Sequence, residues 1–154
     1  SKRATHFMAK GAEKWITKTV YDRDEESAIQ CIHALKKQGY RIVATTPHAP
    51  ENSLHDFDIR KKAAFFFGSE DPGISHLVEE NADEFLTVPI YGFTESYNVS
   101  VATALILQQV THKLHRSEIN WQLTETEKKD LLLEWTIKSI RRPDPLIRRF
   151  LDER

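Results

Sequence analysis

The sequence predicts an α/β fold, a mostly parallel sheet with flanking helices, plus a helical C-terminal tail. Three observations carry that reading. Short apolar or β-branched runs alternate with helix-period segments, the pattern of βα units. One run, Ala63-Ala64-Phe65-Phe66-Phe67, is continuously apolar, as suits a strand buried on both faces of a parallel sheet. Beyond residue 116 the strand-like runs stop and only helical patterns follow.

The first element is Trp15-Ile16-Thr17-Lys18-Thr19-Val20-Tyr21, which alternates with a period near two and predicts an edge or half-covered strand. Asp22-Arg23-Asp24-Glu25 has capping spacing. The helix it opens runs to about Lys37, with Ala28, Cys31, Ile32 and Leu35 on one face, and Gly39 stops it as a C′ glycine. Tyr40 to Thr45 is a second short strand ended by Pro47, and a polar loop follows from Pro50 to Asp56. After the Ala63–Phe67 run come a short helix over 75–81, a strand over 84–90 and a long apolar helix over 98–114. In the tail, Thr124 and Glu127 form a capping box, and Leu131, Leu132 and Trp135 mark that helix's apolar face. Pro143 breaks it, and Asp144-Pro145 starts a last short helix.

Composition narrows the function. The 154 residues carry a formal net charge of −1, which excludes a uniformly basic nucleic-acid binder but leaves room for a local basic patch. With 40% hydrophobic residues there is enough for one core. A single cysteine excludes an internal disulfide and fits a reducing compartment, and Cys31 reads as a core thiol. No apolar run reaches the roughly 20 residues of a membrane span, and no signal-peptide pattern opens the chain. The seven histidines lack metal-ligand spacing. These features predict a cytoplasmic protein with no membrane and no metal. A G-x-G-x-x-G fingerprint after the first strand is also missing, which argues against an ordinary doubly wound nucleotide binder.

Two loops stand out because each follows an apolar strand. The first is Phe67-Gly68-Ser69-Glu70-Asp71-Pro72-Gly73-Ile74-Ser75. The second is Val88-Pro89-Ile90-Tyr91-Gly92-Phe93, continuing through Ser96-Tyr97-Asn98-Val99-Ser100-Val101-Ala102. Ligands of open α/β sheets bind outside the carboxyl ends of strands. Gly68 and Gly92 suit a close backbone approach or a positive φ, and a Cβ at Gly92 is expected to crowd the loop or its ligand. Ser96, Asn98 and Ser100 gather polar groups at a helix start; as an N-cap cluster alone they would carry no chemistry.

Together the two loops resemble motifs two and three of the SpoU/TrmH family of RNA 2′-O-ribose methyltransferases, in the SPOUT superfamily. Tyr97 stands where that family usually has Leu. The resemblance covers about residues 9–116, beginning near Gly11-Ala12. It implies a C-terminal trefoil knot, which no periodicity could predict. It further implies S-adenosyl-L-methionine held largely by main-chain groups at Thr45, Thr46, Gly68, Ile90, Gly92, Tyr97 and Val99. Glu70, Ser96 and Asn98 fall on the family's catalytic-site positions, as hydrogen-bonding groups that orient the loops and the reacting hydroxyl. The family's motif one, with its catalytic Arg, has no match here, Arg3 being out of context. The expectation is a chain that starts after motif one and lacks activity by itself.

Residues 1–116 are thus expected to form the knotted cofactor-binding domain and 117–154 a helical extension. The substrate expected is structured RNA, tRNA before rRNA, with the basic helical tail similar to the branch that methylates a D-loop guanosine. Arg116, after Lys113 and His115, and the cluster Arg141, Arg142, Arg148 and Arg149 are the candidate phosphate contacts. Family members are homodimers, and Val99 through Leu107 is the helix expected at that interface. The alternative is a non-catalytic RNA-binding fragment or paralogue of the same fold.

Overall fold

The computed structural model describes residues 15–22, 24–49 and 52–152. Arg3, Gly11, Ala12, Arg23 and Pro50, named above, lie outside them. The chain divides into two compact units. One is Tyr21–Asn120; the described part of the other is 15–20 with 121–152.

The first unit holds a three-stranded parallel sheet in the order β2-β1-β3, where β1 is Arg41–Thr45, β2 Ala63–Phe66 and β3 Glu84–Leu86. Helices α1 (Glu25–Lys37) and α2 (His76–Asn81) both contact β1 and each other. Helix α3, Val99–His115, follows β3. Its Ile106 is fully buried and joins Val43, Leu54, Phe57 and Leu86 in the core cluster, with Val110 packed against it. Strand alternation turns Ile42 and Ala44 to the face opposite Val43, and all three have zero exposure. The strand covered on both faces is therefore the central β1. The Ala63–Phe67 run, expected in that role, forms the outer strand β2 and is half-buried throughout. A run of apolar residues reports strand character, but the position in the sheet decides how many faces are covered.

Local signals explain the element ends. Asp24 caps α1, its carboxylate accepting from the Ser27 amide at 2.8 Å and the Ser27 hydroxyl at 3.0 Å. Gly39 follows with a φ of +81°, the left-handed backbone that closes a helix without a Cβ penalty. Cys31 is half-buried on α1 beside the fully buried Ile32. The strand expected to reach residue 90 stops at Leu86, and only Thr87 continues it, as an isolated parallel bridge to Ser53.

In the second unit, α4 is Glu125–Ser139 and α5 is Asp144–Asp152. Thr124 and Glu127 make the reciprocal capping box, with the Thr124 amide donating to Glu127 at 2.7 Å. The strand expected over 15–21 does not form: these residues are exposed and unpaired as strand. Trp15 instead meets Trp135 edge-on, ring centroids 5.5 Å apart. β-branched residues favour a pleated surface only where a neighbouring strand offers one, and none of the described strands does.

Candidate functional site

Because all three strands are parallel, their carboxyl ends share one edge, and the loops leaving them converge there. Thr45, Thr46 and His48 come from the end of β1, Phe67–Ile74 from the end of β2, and Val88 and Glu95–Val99 from the segment between β3 and α3. They line a single cleft of about 540 Å³, with Leu86, Ala102 and Glu79 completing it.

Each wall is held by identifiable bonds. The Thr45 hydroxyl donates to the Phe66 carbonyl at 2.8 Å, tying the ends of β1 and β2. In the first loop the Ser69 amide donates to the Gly73 carbonyl at 3.0 Å and the Ser69 hydroxyl to the Asp71 carbonyl at 3.0 Å. This tight fold leaves no room at Gly68, where a Cβ would overlap the backbone of Gly73 and Ile74. Gly73 itself has a φ of +95°. In the second loop Asn98 caps α3, its side-chain oxygen accepting from the Ser100 amide at 2.9 Å, and the Tyr97 hydroxyl donates to the Pro89 carbonyl at 3.4 Å.

Of the residues singled out from sequence, Thr45, Thr46, Gly68, Glu70, Ser96, Tyr97, Asn98 and Val99 all line this cleft. Ile90 and Gly92 do not. A Cβ on Gly92 would meet nothing within 4 Å, so the expected crowding against the loop is absent; the glycine is required there by its φ of +128°. Pattern reading missed His48, Asp71, Glu79 and Glu95. His48 was recoverable as part of the turn leaving β1, whereas Glu79 reaches the cleft from α2 and no local pattern marks it.

Four carboxylates, Glu70, Asp71, Glu79 and Glu95, face the cleft with one imidazole, His48, so its field favours a cationic ligand. No group of three His, Cys, Asp or Glu among the described residues could hold a metal. The perturbed carboxyls serve the scaffold, Asp24 as the cap of α1 and Asp83 and Asp58 at the other end of the strands. Asp83 is held below the usual carboxylate range by the Ile42 amide, 2.7 Å away, and by Lys36 at 3.1 Å. Asp58 is drawn down to about 2 by hydrogen bonds from the Arg60 side chain and amide.

The candidate phosphate contacts fall on both units. Arg116 is the exposed C-cap of α3, while Arg141, Arg142, Arg148 and Arg149 are exposed on the second unit. Lys113, named with Arg116, is committed elsewhere: its ammonium donates to the carbonyls of His55 at 2.6 Å and Phe57 at 3.1 Å.

A parallel α/β sheet whose strand-end loops enclose one polar and apolar cleft defines a small-molecule-binding α/β domain. The family model of the SpoU rRNA Methylase family matches residues 1–108, and the chain belongs to that family. It is 38% identical over 125 residues to the tRNA (guanosine(18)-2′-O)-methyltransferase of Borreliella burgdorferi, an alignment covering 81% of this chain and 56% of that protein. Identity to the Aquifex aeolicus protein of the same name is 27% over 135 residues, covering 86% of this chain and 62% of that one. The chain spans less than two thirds of either relative. The crystal structure of the A. aeolicus TrmH/SpoU tRNA modifying enzyme superposes with a TM-score of 0.71 at 27% identity, over 88% of this chain and 68% of that one.

Proposed function

We propose that the protein to which this chain belongs transfers a methyl group from S-adenosyl-L-methionine to a ribose 2′-hydroxyl of structured RNA, tRNA before rRNA. The observation that carries the proposal is the convergence of both motif loops on one cleft. Its volume of about 540 Å³ falls within the range of small-ligand sites, roughly 300–1,000 Å³. Apolar walls from Leu86, Val88, Val99 and Ala102 suit a flat heterocycle, and the surrounding carboxylates suit a ligand with cationic centres. The donor has a sulfonium and an ammonium, and when bound it supplies an activated methyl group.

The chain's own residues then position and exclude. Thr45, Thr46, Gly68, Tyr97 and Val99 would hold the donor, chiefly through main-chain groups, while Ile90 and Gly92 shape the loop behind them. Glu70, Ser96 and Asn98 are the polar side chains offered to the hydroxyl and to the group that removes its proton. Holding that oxygen in line with the methyl carbon is the larger part of the catalytic task.

Residues 1–116 are proposed to carry the family's trefoil knot and residues 117–154 the helical extension. A homodimer is supported by α3, whose Val101, Leu105 and Leu107 are 45%, 39% and 50% exposed although apolar. Arg116, Arg141, Arg142, Arg148 and Arg149 are proposed to meet RNA phosphates. No helix among the described residues is long and apolar enough to cross a membrane. A cytoplasmic location is proposed from the tRNA-modifying relatives.

Calorimetric titration with S-adenosylhomocysteine tests the cleft, and transfer of a labelled methyl group to unmodified tRNA by the full-length protein tests the reaction. Micromolar binding and label in ribose are expected. Absence of cofactor binding overturns the proposal; tRNA binding without transfer replaces it with a non-catalytic RNA-binding module.

A further inference from the structure

Thr87 is the one buried polar residue among those described, 7% exposed, and it sits just past β3 under the floor of the cleft. Its hydroxyl lies 2.7 Å from the Thr46 carbonyl and 2.8 Å from the Ala49 carbonyl. A hydroxyl has a single proton and both neighbours are pure acceptors, so one O–H is shared between the two ends of the Thr46–Ala49 turn. The Thr87 backbone holds the continuation of the same loop: its amide donates to the Asn52 carbonyl at 2.9 Å, and its carbonyl accepts from the Leu54 amide at 2.9 Å. Three points of one residue therefore fasten the segment that carries Thr46 and His48 into the cleft. Thr46 is tied at its amide as well, which donates to the Leu86 carbonyl at 3.0 Å.

We propose that Thr87 is a positioning residue, whose hydroxyl fixes the Thr46–His48 wall of the cleft in the shape that receives the methyl donor. The inference rests on the cofactor reading above only for the identity of the ligand. Without the hydroxyl the Ala49 carbonyl keeps the Asn52 amide, which donates to it at 3.0 Å, but the Thr46 carbonyl loses this donor, and that end of the turn, next to the exposed Pro47 and His48, relaxes toward water. The core is not emptied, because valine replaces the hydroxyl by a methyl of similar size. The turn should therefore loosen while the fold remains.

The test compares Thr87→Val and Thr87→Ser with the unaltered chain by two measurements. One is hydrogen exchange of the 46–49 turn without ligand; the other is calorimetric affinity for S-adenosylhomocysteine. Thr87→Val is expected to exchange faster at that turn and to bind about tenfold more weakly, and Thr87→Ser to restore both. Unchanged exchange in Thr87→Val overturns the clamp, and faster exchange with unchanged affinity overturns its role in binding. Should Thr87→Val not fold, Thr87→Ala takes its place; if neither folds, the hydroxyl is a requirement of the core and the positioning role is overturned. Failure of the unaltered chain to bind the probe counts against the cofactor reading, and the exchange measurement still judges the clamp.

Discussion

Two residues at the cleft separate structural from chemical roles. Gly68 must stay without a Cβ because the backbone of Gly73 and Ile74 occupies that space. Gly68→Ala is expected to destabilise the chain by roughly 1–3 kcal/mol and to abolish S-adenosylhomocysteine binding, since the loop itself must open. A thermal melt with a parallel titration checks it, and wild-type affinity would contradict the close approach. Asn98 is both the cap of α3 and a polar group in the cleft. Asn98→Ala removes the acceptor for the Ser100 amide and should cost about 1 kcal/mol. Asn98→Asp keeps an acceptor there, so stability should hold. If methyl transfer by the full-length enzyme nevertheless falls at least tenfold in Asn98→Asp, the amide group acts on the reaction and not merely on the helix. Unchanged turnover in both variants would leave Asn98 a cap alone.

At the scale of elements, Asp83 joins three of them, bonding the Ile42 amide of β1 and Lys36 of α1 from the residue before β3. Its folded carboxyl is held below the unfolded value. The stability it contributes is thus present above a pH of about 3.9 and is lost as the pH falls through the folded value. Asp83→Asn should be less stable at neutral pH by about 1 kcal/mol and should lose less on acidification. Melting midpoints between neutral and acid pH decide this; parallel curves for the two proteins would reject it. Helix α3 has a buried seam at Ile106, an exposed apolar face at Val101 and Leu105, and the exposed Leu107 on the other flank of the seam. A charge on that face, Leu105→Glu, should leave the monomer folded and lower its association, read by light scattering. The helix was legible in the sequence as apolar, but not which side faced the core, because two apolar faces blur the helical period. Caps were the most legible features, since Asp24, Gly39, Thr124 and Glu127 act within four residues of themselves. The same locality explains the failures. Residues 15–21 have strand-like composition but, among the described residues, no strand to pair with. The ties made by the Thr87 hydroxyl and the Lys113 ammonium span 38 or more residues, so nothing near them in sequence announces them.

On the scale of the whole molecule, a net charge of −1 and a cleft lined by carboxylates cannot attract RNA on their own. Affinity for a polyanion must come from local basic clusters, and the second unit displays four arginines within nine residues of chain. Each cation that meets a phosphate releases counterions, which lowers the logarithm of affinity by about 0.7 (single strands) to 0.9 (B-form duplex) per tenfold rise in salt. Arg141→Gln with Arg148→Gln should therefore weaken tRNA binding and reduce the salt slope by about two. The cofactor cleft belongs to the other unit, so S-adenosylhomocysteine affinity should stay unchanged. Binding isotherms at several salt concentrations give the slope directly. An affinity loss with an unaltered slope would mean that the substitutions disturb the bend and the helix carrying these residues. No loss at all would move the RNA contact to Arg116 and the first unit.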